Sequence, residues 1–229
     1  MSAILYKGHI PTNWVQKSIL AIGSGVSALV DPWRADSVAV QSEVWGQRAC
    51  KKLRDKIRSD PEGAQIMKER PIINSNTVDF KNLIDLPPNT LGYAYAKYND
   101  KWKISPDSRA PVRFVDEDEE LAYIILRYRH IHDLIHTILN MPTNMVGEVA
   151  VKWIEGQQTR LPMCISGSLL GPLRFTKKQA DQYESLLPWI AKTGSEARLF
   201  MNIYFEKRWD QDITDFRQEM RVKLPPQYR

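Results

Sequence analysis

Residues Asp116–Pro142 read DEDEELAYIILRYRHIHDLIHTILNMP, and the periodicity of this stretch decides the fold. Leu121, Ile124, Ile125, Tyr128, Ile131, Ile135, Ile138 and Leu139 recur at three- and four-residue spacing, which predicts an amphipathic helix. The acidic run Asp116–Glu120 favours a helix N-terminus through the macrodipole, and Pro142 ends the helix. Arg127, Arg129 and His130 are expected on its surface or flanking a site.

The punctuation on either side is also helical. Thr12 or Asn13 can cap a helix running to about Val30, stopped by Asp31-Pro32. Asp36 can cap the next over Ser37–Trp45, with Gly46 as a break before a basic stretch to Ser59. Asp60-Pro61 is an N-cap followed by proline at the first helical position, opening a short helix that stops before Pro71. Residues 71–88 are turn-rich, and Asn89 or Thr90 opens another segment. Downstream, Thr143 or Asn144 caps a helix carrying Val146, Val149, Ala150 and Trp153. Leu161–Phe175 holds two glycines and two prolines and reads as irregular. Thr176 caps a helix towards Thr193-Gly194, and a last helix covers roughly Leu199–Met220. No alternating strand pattern and no internal repeat appears. The expectation is an all-α chain, residues 1–229 forming a single helical domain with an interhelical apolar cleft.

With 43% hydrophobic and 26% charged residues among 229, the chain is neither disordered nor collagen-like. No run approaches the roughly 18–20 apolar residues that span a bilayer; the best candidate, Ser18–Val30, is too short and diluted by Ser and Gly. The net charge of +5 comes without a zinc finger, basic zipper or aromatic RNA-binding signature, so nucleic acid is not expected as a partner. A mildly basic face beside anionic lipid headgroups fits the balance. Cys50 and Cys164, with no CxxC, suit a reducing compartment rather than a disulfide framework. Met1–Lys7 has neither a secretory nor a transit layout: the protein is untargeted, or the chain starts after a targeting segment.

The chemistry concentrates on the long helix. At about 100° per residue His136 lies roughly 40° from His132 and Asp133 roughly 100° from it, so all three share one side. They fall beside the apolar stripe and so point at the core or a cleft in it. Two imidazoles one turn apart offer a metal two neutral nitrogens, and a buried carboxylate needs a cation or strong hydrogen bonds. A hydrogen-bonded core cluster is the competing account. The next helix supplies Glu148 and Glu155; on a regular wheel Glu148 lies opposite Val146, Val149 and Trp153, which leaves it in solvent.

His132-Asp133-x-x-His136, eleven residues, then Glu148 resembles the signature of the coenzyme Q (ubiquinone) biosynthesis protein four family. Gly8-His-Ile-Pro-Thr12, Asp60-Pro-Glu-Gly-Ala64, Arg109-Ala-Pro111, Phe114-Val-Asp116, Met141-Pro-Thr-Asn144, Val151-Lys-Trp153, Leu161-Pro-Met-Cys164 and Lys207-Arg-Trp-Asp210 also resemble family segments, so the likeness covers nearly the whole chain. The resemblance implies a helical protein peripheral on the matrix side of the mitochondrial inner membrane, associated with other ubiquinone-biosynthesis proteins, with room for a homodimer. It implies that His132, Asp133, His136 and Glu148 are metal ligands, for Zn2+ or for Fe2+ or Co2+ in its place, and it overrules the solvent placement of Glu148. It implies a carboxy-lyase that removes the ring carboxylate of a polyprenylated para-hydroxybenzoate, in an oxidative or simple form, and organises the biosynthetic complex. No general acid or base is assigned by the sequence. Two rivals stand beside it: a non-catalytic prenyl-lipid-binding scaffold with a structural metal, and a metallohydrolase in which Asp133 is the base.

Overall fold

The computed structural model describes residues 4–30 and 35–226, with side chains for all of these but 25, 26, 28–30 and 35–39. Ten α-helices follow one another among the described residues: α1 (Trp14–Val30), α2 (Ala35–Arg58), α3 (Pro61–Glu69), α4 (Phe80–Ile84), α5 (Leu91–Trp102), α6 (Glu119–Leu139), α7 (Met145–Thr159), α8 (Pro162–Leu170), α9 (Lys177–Glu196) and α10 (Ile213–Glu219), with short 3-10 turns between some of them. No strand occurs among the described residues, so the fold is all-α, as the periodicity predicts.

The helix ends follow the capping chemistry of the sequence. The Asp60 carboxylate accepts from the Glu62 and Gly63 amides, with Pro61 in the first turn of α3. Asp118 accepts from the Glu120 amide at the start of α6, and Asn144 from the Gly147 amide at the start of α7. Thr176 and Gln179 form a reciprocal capping box on α9. The acidic start of α6 has a second use that the macrodipole argument does not supply: Arg54 and Arg58 at the end of α2 pair with Asp118 and Glu120.

Around α6 the structure departs from the expectation. The helix is buried on nearly every side, because α2, α5 and α7 and the 3-10 turn Phe200–Asn202 pack around it. Its apolar side chains join a contiguous core with Cys50, Leu53, Ile57, Val149, Ile154, Leu161 and Phe200, each fully buried one contributing ~1.5–3 kcal/mol. Arg127, Arg129 and His130 are therefore interior rather than surface residues. Arg127, 1% exposed, is held by Glu206 and the Ile203 carbonyl (3.0 Å). Arg129 reaches Glu43 (2.6 Å) and the Ala110 carbonyl (2.7 Å). Partners that lie up to 87 positions away in sequence, such as Ser42 for Arg129, make burial of the charges tolerable.

Three further expectations are corrected. Gly46 does not break a helix: α2 runs through it, and the glycine sits buried against Leu161, Cys50 and Ile125. Leu161–Phe175 is not irregular but forms α8, with Pro162 in its first turn, and then a 3-10 turn. The last helix is only Ile213–Glu219; 3-10 turns and bends occupy much of the stretch before it. The Asp31-Pro32 stop lies outside the described residues, as does the Asp36 side chain.

The corner between α6 and α7 sets up the site. Asn140 takes a left-handed conformation (φ 51°) that ends α6, and its amide bonds back to the Thr137 carbonyl. The chain then turns so tightly that a Cβ on Gly147 would lie 2.0 Å from the Pro142 carbonyl oxygen. Only glycine permits that approach, which brings the first turn of α7 against the last turns of α6.

Candidate metal centre

The corner places Glu148, in the first turn of α7, opposite His132 and His136 of α6. The Glu148 oxygens lie 3.4 Å from His132 Nε2 and 3.4 Å from His136 Nε2. One donor atom from each of the three residues falls within 4.8 Å of the others. His136 is fully buried, His132 is 12% exposed and Glu148 29% exposed at the side chain, so the group opens to solvent on the Glu148 side. The helical wheel puts Glu148 in solvent because it sees only α7; the tight corner turns this face towards α6.

The tautomers follow from the partners. His132 Nδ1 lies 2.7 Å from Glu155 Oε1, and His136 Nδ1 lies 3.2 Å from the Met141 carbonyl, which also accepts from the Tyr98 hydroxyl at 2.9 Å. A carboxylate and a carbonyl can only accept. Lys152 Nζ also lies 3.3 Å from His132 Nδ1, but the carboxylate at 2.7 Å is the nearer partner; both Nδ1 atoms carry the hydrogen, and in the neutral rings both lone pairs stand at Nε2. His136 Nε2 is buried without a hydrogen-bond donor. Two lone pairs and a carboxylate that converge in a buried place repel one another unless a cation joins them.

A proton on the imidazoles meets the same need for positive charge that a metal ion would. Burial opposes charge on Glu148, yet His136 and His132 hold its pKa well below the ordinary carboxylate range. Burial and Lys152 push the His132 pKa down, but Glu155 and Glu148 outweigh them and raise it. The cluster thus attracts positive charge.

Behind His132 lies a second layer. Glu155 Oε2 accepts from Tyr128 Oη (2.7 Å) and from Lys152 Nζ (3.1 Å), and Lys152 also donates to Tyr128 Oη at 2.7 Å. Cys164 Sγ stands 3.2 Å from the same hydroxyl. Burial opposes the Glu155 charge, but Lys152 and His132 bring its pKa down to about 2. A carboxylate that orients a ligating imidazole through its far nitrogen is a recurrent second layer of metal sites. Sequence alone assigns Glu155 no role; its spacing of three from Lys152 is the one local signal of a partner.

Of the four expected ligands, then, the structure gathers His132, His136 and Glu148. Asp133 is turned aside and bonded to Arg109, with its side chain 5% exposed. Burial and the neighbouring Arg127, Arg109 and Arg129 lower the His130 pKa to about 4, so this ring is neutral.

The fold and site define a class: an all-helical protein with a two-histidine, one-carboxylate group built at one helical corner and backed by an orienting carboxylate. The profile of coenzyme Q (ubiquinone) biosynthesis protein Coq4 matches residues 6–226, and the chain belongs to that family. The ubiquinone biosynthesis protein COQ4 homolog, mitochondrial, of Xenopus tropicalis is 52% identical over 98% of this chain and 80% of its own length. The Homo sapiens protein of the same description is 48% identical over 98% of this chain and 84% of its own. A crystal structure of a putative ubiquinone biosynthesis protein from Nostoc punctiforme, 20% identical, superposes with a TM-score of 0.69 over 89% of this chain and 97% of that one. At that identity the likeness speaks for the fold alone.

Proposed function

We propose that this chain works in ubiquinone biosynthesis as a metal-dependent carboxy-lyase that removes the ring carboxylate from a polyprenylated para-hydroxybenzoate. The observation that carries the reading is the convergence of the two Nε2 lone pairs on the Glu148 carboxylate, with both Nδ1 hydrogens already committed. His132, His136 and Glu148 hold the ion, Zn2+ or Fe2+ or Co2+ in its place. When bound, it supplies a Lewis acid for the carboxylate or ring oxygen.

Other side chains serve this arrangement. Glu155 holds the His132 ring in its metal-binding tautomer, and Lys152 and Tyr128 hold Glu155. The Tyr128 hydroxyl keeps its proton, because burial and the Cys164 and Glu155 neighbours raise its pKa well above the usual value. A non-catalytic scaffold with a structural metal predicts closed four-ligand coordination. With Asp133 bonded to Arg109, a three-residue set leaves a position for water or substrate, which favours catalysis. A hydrolase that uses Asp133 as base is disfavoured by the same bond, since a salt-bridged carboxylate is a weak base.

The prenyl tail and the membrane are read from the surface. Ile165, Leu169 and Leu173 form an exposed apolar row along α8 and the turn after it, beside α7; this row suits a prenyl chain entering an interhelical cleft. On α1, Trp14, Ile19 and Ile22 are 79%, 65% and 67% exposed. Such a face suits peripheral contact with a bilayer, and no helix among the described residues is long and apolar enough to cross one. The names of the relatives favour mitochondria and partners from the same pathway; the inner membrane, its matrix side and a homodimer belong to this proposal.

The test is turnover. Purified protein loaded with zinc, iron or cobalt is given prenylated para-hydroxybenzoate with and without oxygen, and both CO2 and ring hydroxyl are followed. CO2 from at least one metal form is expected, with hydroxylation confined to aerobic samples, because zinc has no redox chemistry of its own. No CO2 from any form would leave the scaffold.

A further inference from the structure

Arg109, bonded to Asp133 on α6, leaves most of its donors unused among the described residues. Arg127 is tied to both Glu206 oxygens and the Ile203 carbonyl, and Arg129 to Glu43, Ser42 and the Ala110 carbonyl. Lys152 is spent on Tyr128 and Glu155. Arg109 makes one hydrogen bond among the described residues, from a terminal nitrogen to Asp133, although a guanidinium carries five N–H donors in a planar fork. Its side chain is 24% exposed, so the unused donors are reachable, while Asp133 behind it is buried. Its partner Asp133 directly follows His132 and lies three residues before His136 on α6, so the bond holds the guanidinium within a helical turn of the two histidines.

The charge balance selects what should meet it. Asp133, Glu148 and Glu155 bring three negative charges to the site, whereas Arg109, Lys152 and a divalent ion bring four positive ones. The surplus is one. A single carboxylate cancels it, and a phosphate dianion would overshoot. The planar fork matches a carboxylate in shape as well as charge.

We propose that Arg109 is the docking point for the single carboxylate of an aromatic acid, received on its unused donors beside the metal centre. The inference rests on the metal-dependent reading above, because the positive surplus requires the ion. Asp133 then serves as the anchor that aims the guanidinium, and its bond to Arg109 becomes part of substrate recognition.

The experiment uses the full chain loaded with zinc and titrates it with para-hydroxybenzoate and with its neutral isostere para-hydroxybenzamide. The acid should bind at least about tenfold more tightly than the amide, a charge-assisted contact being worth ~1.5–3 kcal/mol. Arg109→Gln should abolish the preference with zinc content unchanged. Arg109→Lys, which keeps the charge but not the fork, should retain part of it, and it serves as the readout should the glutamine variant fold poorly. Equal binding of acid and amide by the wild type, or a preference that survives both substitutions, overturns the proposal. Zinc content separates the two readings: a chain that holds no zinc overturns the metal centre and this inference together, whereas a zinc-loaded chain without the carboxylate preference overturns this inference alone.

Discussion

Exchanging Glu155 for glutamine removes one charge and almost no volume, so its effect reads the second layer directly. Glu155 is 1% exposed and accepts from His132 Nδ1, Tyr128 Oη and Lys152 Nζ at 2.7, 2.7 and 3.1 Å. Breaking a buried ion pair from one side costs ~3–5 kcal/mol. Lys152 keeps its bond to Tyr128 and is 16% exposed, so about 2–3 kcal/mol is the expected loss here. At roughly 2–4 °C per kcal/mol for a chain of this size, the melting temperature should fall by about 4–12 °C. The amide oxygen can still accept from His132 Nδ1, but without the charge it holds the ring less firmly, and zinc affinity should fall about 10–100-fold. The assays are thermal melts followed by circular dichroism and competition for zinc against a chelator. A variant that melts within a degree or so of the wild type and binds zinc equally well would refute the reasoning, because the Glu155 network would then support neither fold nor site.

Two further outcomes follow from burial and exposure. Burial pushes the Cys50 and Cys164 thiols up to about 12, and only the thiolate is nucleophilic. Both should resist an aromatic disulfide reagent at about pH 8 until the chain unfolds; rapid labelling of the native protein would contradict the packing around them. On α1, Ile19→Ser with Ile22→Ser should reduce flotation with anionic vesicles while helix content is unchanged. Wild-type protein that stays with the soluble fraction at moderate salt would remove the bilayer contact.

Much of the fold is legible in the sequence because it rests on local chemistry. The three- and four-residue spacing from Leu121 to Leu139, the Asp60-Pro61 start and the Thr176 cap are short-range signals, and α6, α3 and α9 follow them. What misleads is the assumption that a polar residue on a wheel marks solvent. α6 is enclosed on nearly all sides, and its arginines are neutralised by Glu206 and Glu43, which no local pattern links to them. Glu148 deceives for the opposite reason: its placement depends on the corner at residues 140–147, a property of Asn140 and Gly147 rather than of α7. The Gly-Pro content of residues 161–175 suggests irregularity, but Pro162 sits in a first helical turn, where its missing amide costs nothing. His132 and His136 are legible as a candidate pair from spacing. Arg109 as the partner of Asp133 is not, because twenty-four positions separate them.

The central claim is that His132, His136 and Glu148 hold one divalent ion. Elemental analysis of the purified chain, alongside His136→Ala and Glu148→Gln, tests it most directly. The account predicts about one ion per wild-type chain, binding that weakens as pH falls because protons compete for the imidazoles, and loss of the ion from both variants while helix content persists. Full metal occupancy in both variants, or a wild-type chain that takes up no divalent ion, would contradict it.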